Sequence, residues 1–160
     1  MGFGLVRIDD RLIHGQVVAL WVKYLQAKRI VIVDDQVAQD SFLQLVLRGA
    51  APPGISVEVY GLAQAASALD RPEAERAKTI VLMKGPKTAL GLRNAGVVYE
   101  TLNVGGMGAG PGRKPFYRTI SATPEELEMF RQLATLGVTA QIQIEPNARP
   151  IQIATLLPKK

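Results

Sequence analysis

The sequence predicts an α/β fold: a three-layer α/β/α sandwich with a mostly parallel central sheet and an antiparallel edge strand. Three observations carry that prediction. Short, β-branched apolar runs recur at 5–8, 30–33, 57–60, 79–83 and 97–104. Several are apolar almost throughout, as strands covered on both sheet faces are. The stretches between them, 15–25, 40–48, 62–69 and 86–94, are long enough for a covering helix. The last third changes pattern. Thr123, Pro124 and Glu126 form a capping box with Pro at the first helical position, and Leu127, Phe130, Leu133 and Ala134 then share one helical face. Gly137 ends that helix. Val138, Ala140, Ile142 and Ile144 next alternate with Thr139, Gln141, Gln143 and Glu145, which describes a half-exposed edge strand.

Composition limits the chemistry. The chain has 160 residues, no cysteine and one histidine. That excludes a disulfide scaffold, a thiol nucleophile, a cysteine-ligated metal and an intrachain histidine cluster. A chain of this length forms one domain with its own core. The longest apolar run near the N-terminus covers only residues 17–22, far short of a membrane span. Charged residues near the start argue against a leader, so an intracellular, cytoplasmic protein is expected. The net charge is +5, carried by residues 71–160. No basic run with interleaved aromatics points to nucleic acid, and the excess reads first as a solubilising surface.

In open α/β sheets, ligands gather at the carboxyl ends of strands. Three such ends carry polar residues: 7–16, Asp34 with Asp35, and 103–107. The first holds His14 between a strand and a helix. Free N–H groups of Gly15 and Gln16 at the helix start, with Arg7 and Arg11 nearby, suit a dianionic phosphoryl group. Asp9 or Asp10 can fix one ring tautomer and leave the other nitrogen to attack. His14 therefore reads either as a phosphate-carrying nucleophile or as a residue that only caps or packs. The glycine-rich loop 105–115 matches no phosphate-binding fingerprint, although Gly105 and Gly106 can approach a ligand closely. Asp34 and Asp35 read as helix-entry caps or ion-pair partners, and Lys84 as a solvated cation or a further phosphate contact.

The stretch Val6-Arg7-Ile8-Asp9-Asp10-Arg11-Leu12-Ile13-His14-Gly15-Gln16-Val17 resembles the signature of IIB components of the mannose/fructose/sorbose class of bacterial sugar phosphotransferase systems. The likeness continues through Ile32-Val33-Asp34-Asp35-Gln36-Val37-Ala38, Ala50-Ala51-Pro52-Pro53-Gly54, Asn103-Val104-Gly105-Gly106-Met107 and Gly112-Arg113-Lys114, and it fills residues 1–160 as a single IIB domain. The resemblance implies that His14 takes a phosphoryl group from a phosphohistidine on IIA. It then passes the group to a hexose entering through the membrane IIC and IID subunits. Arg11 is implied to contact the phosphoryl group, and Asp9 to shape the loop. No metal or nucleotide cofactor is implied. Peripheral association with the membrane permease is expected, and a homo-oligomer is open through the apolar tail Ile151, Ile153, Leu156 and Leu157. One departure is Met83-Lys84-Gly85-Pro86-Lys87-Thr88, which has Gly and Lys where a Ser or Thr and an acidic residue are expected. The alternative reading is a flavodoxin-like module that binds a phosphorylated ligand or nucleotide without turnover.

Overall fold

A computed structural model describes residues 2–159. The chain lays down β1 (Leu5–Asp9), α1 (Val17–Leu25), β2 (Arg29–Val33), α2 (Ser41–Ala50), β3 (Ser56–Tyr60), α3 (Leu62–Ala68), α4 (Glu73–Arg76) and β4 (Thr79–Met83). It continues with α5 (Pro86–Asn94), β5 (Thr101–Gly106), β6 (Lys114–Tyr117), β7 (Ile120–Ala122), α6 (Pro124–Thr135), β8 (Thr139–Ile142) and β9 (Ile151–Gln152). The main sheet runs β3-β2-β4-β1-β5-β8-β9; every pair is parallel except β8 with β9, and β6 with β7 forms a separate antiparallel pair.

Strand parity sorts the core into two layers, because successive side chains leave a strand on opposite faces. In β4, Ile80 and Leu82 join Val18, Trp21, Val22 and Leu47 of α1 and α2. Val81 and Met83 join Ala65, Leu92, Phe130 and Leu133 of α3, α5 and α6. All five residues of β4 are buried, which is why the four from Ile80 to Met83 are apolar without alternation.

The predicted sandwich is therefore present, with local differences. The apolar run 97–104 pairs only from Thr101; Val97 and Tyr99 are buried, but outside any strand. Their apolarity reflects burial rather than pairing, the ambiguity inherent in short apolar runs. The alternating strand β8 is not the edge. It pairs with β5 on one side, and the antiparallel edge is the two-residue β9. The segment expected as a loop from 105 to 115 gives its first two residues to β5 and its last two to β6. The β6–β7 hairpin has no turn signature because Arg118 holds φ +47 where Gly or Asn is usual. The tail folds back on its own chain: Ile153 is buried, and Leu156 and Leu157 pack on the core beside it. Among the described residues, no helix is long and apolar enough to cross a membrane.

The outer strand β3 is guarded by charge. Glu58 accepts from Tyr60 Oη and Arg71 Nη2, both at 2.5 Å, and lies 2.7 Å from Arg29 Nε. Burial pushes the Glu58 carboxyl up, but hydrogen bonds from Arg71 and Tyr60 and the two arginine charges outweigh it and hold the pKa below the ordinary 4.5. A carboxyl depressed in the folded state stabilises above its unfolded pKa, and that contribution is lost as pH falls through the folded value. Glu58→Gln is expected to cost about 1 kcal/mol at neutral pH and progressively less in acid. Thermal melting of both proteins from pH 7 to pH 3 checks this: the two curves converge at low pH.

Candidate functional site

Right-handed crossovers place the site. From β1 the chain moves through α1 on one face toward β2, and from β4 it moves through α5 on the other face to β5. The connections diverge around β1, so the carboxyl ends of β4, β1 and β5 open a crevice. Part of it is a depression of about 520 Å³ lined by Asp10, Arg11, Gly105–Gly108, Thr119 and Ile144.

The loop after β1 is shaped by its own backbone. Leu12 N–H donates to Asp9 O at 2.9 Å, and Asp10 N–H to Gly106 O at 3.2 Å. Leu12 adopts φ +57 with its side chain buried. A left-handed leucine costs on the order of 1–3 kcal/mol. Burial of Leu12 and Ile13 in the α1/α2 layer holds it there. Gly15 then takes φ +53, a conformation L side chains rarely adopt, and lets the chain turn into α1. The helix starts at Val17, two residues later than the sequence suggests, with the exposed Gln16 as an N-cap that makes no side-chain cap bond.

This geometry leaves His14 half-buried, with Nε2 3.0 Å from Asp9 Oδ2. An ionised carboxylate only accepts, so Nε2 carries the proton and Nδ1 carries the lone pair. Nδ1 has no hydrogen bond among the described residues. Asp9 itself is buried, and its Oδ1 accepts the Arg11 N–H at 3.1 Å. The Arg11 side chain is 67% exposed, with Nε 3.9 Å from Asp9 Oδ1.

Arg7 differs from the expectation. It is 1% exposed and lies beneath the site rather than on it. Its guanidinium donates to Asn103 Oδ1, to Gln143 O at 2.9 Å and to Ile144 O at 3.1 Å, and sits 3.5 Å from Asp9 Oδ2. Trp21 covers it at 5.5 Å and donates its own Nε1–H to Ile144 O. Burial lowers the Arg7 pKa to about 10 against the raising pull of Asp9, so it stays cationic at neutral pH. A Cβ on Gly105 would fall 1.9 Å from Arg7 Nη2, so β5 needs glycine to make room for the guanidinium.

Of the two acidic candidates, Asp9 takes the histidine and Asp10 turns away, accepting the Gly108 N–H at 2.7 Å. Asp34 caps a turn through the Val37 N–H and pairs with Lys84 at 3.7 Å; Asp35 accepts the N–H of Leu62, which begins α3. These residues act as caps and ion-pair partners, and Lys84 engages Asp34. Sequence reasoning did not find the supports of Arg7. Asn103 inside an apolar strand was the available signal; the Gln143 and Ile144 carbonyls gave none, because main-chain acceptors are present at every position.

The family described as "PTS system sorbose subfamily IIB component" matches residues 3–160. The sorbose-specific EIIB component of Klebsiella pneumoniae is 39% identical over 153 residues, covering 96% of this chain and 93% of that protein. The mannose-specific EIIAB component of Escherichia coli (strain K12) is 31% identical over 159 residues, covering 99% of this chain and 49% of the longer relative. The crystal structure of the IIBSor domain of the Klebsiella pneumoniae sorbose permease superposes with a TM-score of 0.89 at 37% identity, covering 97% of this chain and 95% of that one. The strand order, the crevice at β1 and this extent of match lead to one conclusion: the chain belongs to the sorbose subfamily of IIB components of the sugar phosphotransferase system.

Proposed function

We propose that this chain carries a phosphoryl group on His14 Nδ1, accepting it from phosphorylated IIA and delivering it to a hexose that enters through the membrane IIC and IID subunits. The carrying observation is the His14–Asp9 pair: a buried carboxylate holds Nε2–H and leaves Nδ1 as the one free nucleophile on the ring. The Nδ1 lone pair bonds to phosphorus as the donor histidine's N–P bond breaks, and that bonding pair returns to the donor ring. Positive charge developing on the His14 ring is stabilised through Nε2–H by Asp9, as in other histidine–carboxylate pairs. Arg11 neutralises the incoming oxygens, and the Gly15 and Gln16 backbone at the start of α1 adds N–H dipoles. Arg7 acts from below by fixing Asp9.

The group moves between similar N–P bonds, so alignment and electrostatics carry most of the catalysis. Docking with IIA is brief, and the whole unit works on the cytoplasmic side against the permease. A ligand-binding module without turnover is not favoured, since the relatives named above are transport-system components.

Incubation with phosphorylated IIA is expected to label the wild-type chain, with an acid-labile, alkali-stable adduct whose 15N chemical shifts mark Nδ1. His14→Ala is expected to take no label; equal labelling of that variant rules the reading out. Arg11→Ala is expected to slow labelling by about 10²- to 10³-fold. Its urea midpoint should move little, because an exposed substitution changes stability by about 0.5 kcal/mol or less. Equal losses of rate and stability would assign Arg11 a structural role instead.

A further inference from the structure

Three strand-end segments and one helix start converge on Arg113. Its Nε and Nη2 donate to Glu126 Oε1 and Oε2 at 3.0 and 2.9 Å, a two-pronged pair. Its Nη1 donates to Gly108 O at 2.9 Å and lies 3.5 Å from Asp10 Oδ2. Asp10 in turn receives the Gly108 N–H. Gly85, in the turn after β4, packs against the pair, since a Cβ there would lie 3.6 Å from Glu126 Oε2 and 3.8 Å from Arg113 Nη2. Glu126 is itself anchored, because it closes the capping box of α6 by accepting the Thr123 N–H at 3.0 Å. Burial pushes the Glu126 carboxyl up, but Arg113 and Thr123 outweigh that and hold it below its ordinary range.

Resting on the reading of His14 above, we infer that Arg113 is a positioning residue for phosphoryl transfer, acting through Asp10. Two physical effects combine. Asp10 joins Asp9 to Arg11, so fixing its carboxylate fixes the segment that presents the Arg11 N–H to Asp9. Asp10 also lines the depression that a phosphoryl dianion must approach, and an uncompensated carboxylate there repels it. Arg113 and the Gly108 N–H supply the compensation. The capping box of α6 thus serves as the rigid footing of the phosphate-carrying loop.

The test is single-turnover labelling of the full chain by phosphorylated IIA, with rate followed against IIA concentration. For Arg113→Met, the saturating rate is expected to fall roughly 10- to 100-fold, the scale of a small misplacement of reacting groups. The half-saturating concentration should change little, because Arg113 acts on alignment and not on docking. Arg113→Lys should restore part of the rate, since it returns charge without the fork. The double variant with Asp10→Asn should be no slower than Arg113→Met alone, a non-additivity expected when one residue acts through the other. Amide exchange at Gly108 should quicken in Arg113→Met. If Arg113→Met does not fold, Asp10→Asn and Arg113→Lys carry the test. Wild-type saturating rates in both overturn the inference, as does an unchanged rate in a folded Arg113→Met or fully additive losses in the double variant. A wild-type chain that takes no label overturns the reading of His14 instead, which separates the two failures.

Discussion

The buried guanidinium of Arg7 is the constraint from which the site is built. A cation taken out of water is costly unless it is paired and its hydrogens are used. Here one side chain meets Asp9, Asn103 and the carbonyls of Gln143 and Ile144, with the Trp21 ring against it. Each contact obliges a different segment to be in place. Strand β5 must present glycine at 105, the chain after β8 must turn its carbonyls inward, and α1 must bring its tryptophan down. Asp9 is held 3.5 Å from that fixed positive charge, and its other contact, 3.0 Å to His14 Nε2, is what orients the ring.

Strain completes the arrangement. Leu12 in the left-handed region is an unfavourable local choice, tolerated because its side chain and that of Ile13 fill the layer beneath α1 and α2. The chain must then rise toward the crevice at His14 and re-enter a regular path at α1. A short, strained loop clamped at both ends has few alternative conformations. Under the proposed relay, that suits a group that meets two different partners in turn without a large rearrangement. The charge beneath orients the ring, and Arg11 on top stays exposed to solvent.

Much of this was legible from residues close in sequence. The three-layer sandwich followed from apolar runs separated by helical stretches, and the capping box of α6 from four consecutive residues. The contiguous segment 6–17 brought His14, Asp9 and Arg11 together because Asp9, at the strand end, and His14, in the loop before the helix, lie only five residues apart. What was misread has a common cause. Burial and pairing leave the same apolar signature, so the run 97–104 looked like a longer strand than β5 is. Alternation reports one wet face without saying what lies at the side, so β8 looked like an edge before β9 was seen to cover it.

By itself, the sequence determined the fold class and set a lone histidine a few residues from a carboxylate at a strand end. These depend on periodicity and on neighbours within a turn or two. Only the tertiary structure decided which charges lie exposed at the crevice and which are buried beneath it. Arg7 and Arg11 are four residues apart and chemically alike. One is sunk because its partners Asn103 and Gln143 arrive from 96 and 136 residues away, and the other stays in solvent. The ring nitrogen left free, and the joining of Asp10 to Arg113, were decided in the same way. They depend on distances between segments that are brought together only when the sheet closes around β1.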